Sequence, residues 1–161
     1  MTKQRDQWRR DRRGVAALEF ALVCPVLLTF FGGVVDLGLA VWSKSCLANA
    51  VAQGAQYAYR TQQTGTNVTQ TQIRNFVLHV STLPSANISV SDTTVPGYYC
   101  MSTATSPPTL ATSTSGANCS DGTKSGLYVK VSATYTYPAL MPAYSYMAGR
   151  TITESTWVRL L

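Results

Sequence analysis

Residues 15–42 read VAALEFALVCPVLLTFFGGVVDLGLAVW. This run of 28 residues holds two charges, Glu19 and Asp36. Between them the 16 residues from Phe20 to Val35 carry no charge, and Leu37 to Trp42 keeps the apolar character. A helix crossing a bilayer needs about 20 mainly apolar residues at about 1.5 Å each, so the run predicts a transmembrane helix. Its flank predicts the orientation. Residues 1–14 hold Lys3, Arg5, Arg9, Arg10, Arg12 and Arg13 against Asp6 and Asp11. The positive-inside rule puts such an arm in the cytoplasm and everything after about Ser43 on the other side.

Composition narrows the rest. At 161 residues the chain has room for one domain of ordinary size. It is 45% hydrophobic and only 12% charged, too apolar for a disordered chain. The net charge of +6 sits mostly in the N-terminal arm, so it reads as a topology signal and not as a nucleic-acid face. One His and seven acids leave little material for catalysis. There is no Ser/His/Asp set, metal-ligand cluster or phosphate loop. The sequence therefore predicts no enzyme, cofactor, metal, small-molecule substrate or nucleic-acid partner.

Other readings of the apolar run fit less well. It is too long for the core helix of so polar a remainder. Gly38-Leu39-Ala40 is a weak small-x-small signal-cleavage site, but the apolar region before it is overlong and contains Glu19 and Asp36. A lipoprotein signal at Cys24 is poor, because Val23 stands where a small residue is needed. A carboxylate at mid-bilayer costs about 2.5–3.5 kcal/mol on insertion scales. Asp36 lies near the far end, where it is expected to reach water. Glu19 either snorkels to the cytoplasmic headgroups or has a function.

The junction reads Arg12-Arg13-Gly14-Val15-Ala16-Ala17-Leu18-Glu19-Phe20. A basic leader ends in Gly, an apolar run starts, and a Glu-aromatic pair follows. This resembles the processing site of type IV pilins and pseudopilins. More closely, RRGVAALEFALVCPVLL with the later Gly-rich stretch and Asp36-Leu37-Gly38 resembles the TadE-like minor pseudopilins of the tight-adherence (Flp) pilus. The likeness is specific over residues 12–60. It is looser at Pro138-Ala-Leu-Met-Pro142 and at Trp157-Val158-Arg159, and the middle of the chain matches no motif. The resemblance implies cleavage between Gly14 and Val15 by a membrane prepilin peptidase, and other pilin or pseudopilin subunits as partners. It also implies residence in a bacterial inner membrane, with passage to a surface pilus after assembly. The chemistry is compatible. Gly14 has no side chain to obstruct a protease cleft, and cleavage leaves an α-amine on Val15 that is mostly cationic at neutral pH. Val15 and Glu19 are i and i+4 on one helix face, so the pair can bridge within a chain or between subunits. Phe20 stands where major Flp pilins usually carry Tyr, which together with the chain's length favours a minor subunit. A different class stays open: a membrane-anchored or secreted adhesin with no filament role.

Beyond the membrane the helical pattern continues to residue 60. Leu47, Val51 and Ala55 form an apolar stripe, and Ala50, Gly54 and Ala58 a small-residue stripe beside it. The second stripe should admit a sheet or another helix, and QQTGT at 62–66 should end the helix. Pro25 predicts a bend, and Gly32, Gly33 and Gly38 suit either close helix approach or ordinary membrane composition. Thr69-Gln70-Thr71-Gln72 resembles a capping box. Ile73, Phe76, Val77 and Val80 then predict an amphipathic helix over 70–81, with His79 off its apolar face. Period-two alternation marks strands around Ile88–Val90, Leu127–Tyr137 and Ile152–Leu160, with Glu154 interrupting the last apolar face. Residues 102–125 are Ser/Thr/Gly/Pro-rich and read as a surface loop.

Cys100 and Cys119 bracket most of that loop, and an oxidising compartment predicts their disulfide. Cys24 and Cys46 lie about 33 Å apart along one helix and cannot pair within a chain. Cys46 could bridge to another subunit, although a buried free thiol is the simpler reading. The Tyr-rich C-terminal half is read as strand-forming before it is read as sugar-binding. Three Asn-x-Ser/Thr sequons, at Asn67, Asn87 and Asn118, read as coincidence in a Ser/Thr-rich chain. The expected architecture is α+β: a cytoplasmic leader over 1–14, a transmembrane helix over 15–42, its continuation over 43–60, and a head over 61–161 built on a small antiparallel sheet with a disulfide-closed loop.

Overall fold

The computed structural model describes residues 2–90, 96–102, 109–140 and 151–160, with side chains from residue 14 onward. One helix, α1 (Thr2–Gln63), contains the leader, the apolar run and the head's first element. Arg, Lys and Gln are good helix formers, which suits the leader to helix and carries α1 back beyond the expected start. The helix is continuous through Pro25. It stops at Gly65, whose φ of 77° only glycine adopts without strain, and the Gly65 amide donates to the Gln62 carbonyl at 3.0 Å.

The capping box then starts α2 (Gln70–Val80). The Thr69 hydroxyl accepts from the Gln72 amide at 3.3 Å, and the Gln72 side chain accepts from the Thr69 amide at 2.9 Å. A 3₁₀ turn at Ser85–Asn87 leads into what are, among the described residues, five antiparallel strands. These are β1 (Ile88–Ser89), β2 (Gly97–Ser102), β3 (Thr109–Thr112), β4 (Gly126–Thr136) and β5 (Thr151–Arg159). The expected α+β architecture is present, with two strands added to those expected, β2 and β3. The stretch read as a loop contains β3, which pairs with β2 from Tyr99↔Thr112 to Ser102↔Thr109. Ser/Thr-rich sequence carries no apolar alternation, so only the pairing with β2 reveals this strand.

β4 is the hub. Tyr135 pairs with Ile88 on one edge and Ile152 on the other, and Tyr128 pairs with Gly97 and Arg159 in the same way. β1 and β2 therefore share one edge of β4 while β5 runs along the opposite edge. The inward set Val129, Val131, Ala133 and Tyr135 is buried, as the period-two pattern requires. α1 lies across β4 and β5 and contributes Leu47, Ala50, Val51, Ala55 and Ala58 to the core, while α2 contributes Ile73 and Val77. Leu160 closes the far end, its amide donating to Leu127 at 2.7 Å and its carbonyl accepting from the Gln63 side chain at 3.4 Å. Tyr57 and Phe76 stack between the two helices with ring centroids 4.5 Å apart. His79 is exposed on α2, as its position off the apolar stripe predicts.

The small stripe admits both neighbours at Gly54. A Cβ there would stand 2.5 Å from Val77 Cγ2 and 3.5 Å from Val131 Cγ1, so α1, α2 and β4 meet at that point. Val77 is fully buried and β-branched, so it has little room to swing aside. Gly54→Val should therefore destabilise the head by about 1–3 kcal/mol through overpacking. Thermal unfolding of the full chain in detergent measures this; an unchanged midpoint would mean that α2 does not pack there.

Candidate functional site: the bare helix and its junction with the head

From Gly14 to Phe31 no residue of α1 is buried. Leu18, Phe20, Leu22, Val26, Leu28, Phe30 and Phe31 are all more than 60% exposed. An apolar surface of this size needs a cover, and this helix is long and apolar enough to cross a membrane. The residues singled out at the junction lie at its start. Gly14 has open space where a Cβ would stand. Val15, Glu19 and Phe20 are exposed, one helical turn apart and clear of the head. The second pair singled out lies elsewhere: Cys100 on β2 and Cys119 are joined by a disulfide with Cα atoms 5.5 Å apart. Cys24 and Cys46 are free thiols, both half-buried.

The disulfide ties β2 to a tight turn. The Thr123 amide and hydroxyl donate to the Asp121 carboxylate at 3.0 and 2.7 Å. These bonds, the hydroxyl's first, hold the Asp121 carboxyl below its ordinary range. Gly122 takes a φ of 79° at the same turn, and the Cys119 amide donates to Thr123 at 2.8 Å. Little apolar surface is buried in this region, and the crosslink restricts the unfolded chain instead.

The head meets α1 at Asp36. The expectation that this carboxylate reaches water is wrong: Asp36 is fully buried. The Tyr137 hydroxyl donates to Asp36 Oδ1 at 2.6 Å and lies 3.1 Å from the Asp36 carbonyl oxygen, and the Leu140 amide donates to Oδ1 at 3.2 Å. Burying a carboxylate without partners is expensive, and charge-assisted hydrogen bonds offset that cost. Asp36 stands alone as a charge late in the apolar run, and Tyr137 ends the alternating strand, so both carry a signal. Nothing local connects two residues 101 positions apart. Higher on α1, Lys44 reaches Glu154 of β5 at 3.7 Å, which explains how a carboxylate sits in that strand's inward row. The Lys44 side chain is 67% exposed, so the ion pair contributes little stability. Of the looser C-terminal likeness, Trp157-Val158-Arg159 lies at the end of β5, whereas Met141 and Pro142 fall outside the described residues. Among the described residues no group of three or more His, Cys, Asp and Glu could hold a metal ion.

The geometry defines a class: an α+β head built around the later part of a helix whose stretch from Gly14 to Phe31 is bare and apolar. Residues 14–56 match the family model of TadE-like proteins, which supports reading the chain as a TadE-like protein. The matched stretch opens at Gly14 and includes Glu19, Phe20 and Asp36. No curated protein and no solved structure matches the chain.

Burial of its phenol, followed by the hydrogen bond to Asp36 and that group's charge, raises the Tyr137 pKa from the ordinary 10.0 to about 12. The folded state holds this proton more tightly than the unfolded chain. The resulting stability is therefore fully present below pH 10 and is lost as pH rises toward about 12. Tyr137→Phe keeps the ring but removes the donor, and should cost about 1–3 kcal/mol. Unfolding of the full chain in detergent between pH 8 and 12 should show the parent losing its advantage over the variant across the upper half of that range. A constant difference would sever the hydroxyl from the effect.

Proposed function

We propose that this protein is a pseudopilin-like membrane subunit that assembles or anchors a tight-adherence (Flp-type) pilus. On this reading a prepilin peptidase cleaves it after Gly14, and its N-terminus faces the cytoplasm with the head beyond the inner membrane. One coincidence carries the proposal: the TadE-like match opens at Gly14, at the border between the basic leader and the exposed apolar helix. The TadE-like family is associated with the Tad pilus, and its members act as structural components.

Cleavage there would make Val15 the first residue of α1. The helix macrodipole and the new α-amine would then place two positive ends together, which is unfavourable without a counter-charge. Glu19, one turn away, supplies that charge. Being exposed, it is available to a neighbouring subunit's amine as well as to its own. In hydrocarbon such a pair is strong, because little dielectric screening opposes it. Signal cleavage after Ala40 fits poorly, because Ala40 and Asp36 both belong to the buried junction with the head.

Intact mass of the protein from its native membrane should correspond to a chain starting at Val15. A start at Met1 would remove the peptidase from the proposal, and a start at Val41 would favour a secretory signal. Glu19→Gln should leave membrane-fraction abundance unchanged or higher, since it removes a carboxylate from hydrocarbon, yet lower the number of surface pili. Normal abundance with normal pili would point to the anchored-adhesin reading instead.

A further inference from the structure

The helix stays apolar on its outer sides for two turns after the head has begun. Asp36, Ala40 and Ser43 face the head and are buried, while Leu37, Leu39, Val41 and Trp42 on the same turns are 39–69% exposed. The first strongly exposed charge after them is Lys44. The head adds Leu140, whose side chain is 65% exposed while its amide is bonded to Asp36. That bond holds Leu140 at the level of Asp36, beside these helix residues.

We propose that the base of the head is seated in the lipid interface, with Leu140 and the outer faces of Leu37, Leu39, Val41 and Trp42 inserted among the headgroups and upper acyl chains. The inference rests on the membrane-anchored reading above, and lengths support it. Val15–Val35 spans about 31 Å at 1.5 Å per residue, close to the roughly 30 Å hydrocarbon thickness of a bilayer. Val15–Trp42 spans about 42 Å, close to the 40–45 Å that includes the headgroup regions. The overlap of Asp36–Trp42 with the head, about 10 Å of helix, therefore falls at headgroup depth. Trp is suited to that layer, since its ring is apolar and its N–H needs a polar partner. The buried bonding of Asp36 lets the head enter the layer without presenting a bare carboxylate. The competing geometry is a strongly tilted helix that takes Trp42 into the bilayer and holds the head away from it.

The test uses the full chain in phosphatidylcholine/phosphatidylglycerol vesicles with two single-tryptophan proteins. One keeps Trp42, with Trp8→Phe and Trp157→Phe. The other carries Leu140→Trp with all three native tryptophans replaced by Phe. Both should emit to the blue of free tryptophan, be quenched by lipids brominated at the upper acyl chain, and resist aqueous acrylamide. If Leu140→Trp emits as in water and responds to acrylamide while Trp42 is quenched by the brominated lipid, the head stands off the bilayer and the proposal fails, with anchoring intact. If neither tryptophan responds to the brominated lipid and alkaline carbonate releases the protein, the anchored reading fails as well. Leu140→Asp gives a second readout. Its side chain is exposed, so thermal unfolding in detergent should not change, whereas Trp42 emission in vesicles should shift to the red. An unshifted emission would overturn the proposal.

Discussion

The hydrogen bond from Tyr137 to Asp36 marks where the bare apolar stretch of α1 gives way to the head. A carboxylate inside an apolar run is tolerable only where something holds it. Here the partners, Tyr137 and the Leu140 amide, come from the segment that follows β4. The bond joins residues 101 positions apart, so its two ends are brought together by the packing of β4 across α1. The head is thus attached at the base of its own spine and does not hang from the spine's tip.

Above that point, packing follows from small residues. Ala50, Gly54 and Ala58 let α2 and the sheet approach α1 closely, and the larger Leu47 and Val51 fill the space beside them. The core formed this way is compact and lies between α1, α2, β4 and β5. The β2–β3 hairpin lies to the side of it, outside the buried cluster. It is held by its pairing to β4 and by the Cys100–Cys119 crosslink. Burial stabilises one half of the head and covalent closure the other.

A single helix therefore carries two kinds of surface in series. The bare half presents Gly14, Val15, Glu19 and Phe20 on its exterior, clear of the head. The core half is committed to α2 and the sheet. These exposed residues do no structural work in the head, so on the proposed reading they stay available to partners. On the proposed reading, processing at Gly14 would leave everything above Asp36 folded.

Much of this was legible from local pattern. The apolar run, the capping box at Thr69 and Gln72, the glycine stop after Gln63 and the period-two rhythm of β4 and β5 each depend on neighbours a few residues away, and each appears as the pattern predicts. The small stripe on α1 announced a close approach, and Cys100 and Cys119 announced their bond. The role of Asp36 and the existence of β2 and β3 were not legible. Asp36 looked solvent-bound because its partner, Tyr137, lies 101 residues away, and β3 looked like loop because a Ser/Thr-rich segment becomes a strand only beside a ready edge. Local sequence sets helix and strand through backbone and side-chain periodicity. Which buried charge finds which hydroxyl, and which polar segment finds a strand to join, depends on contacts that exist only after the chain has folded.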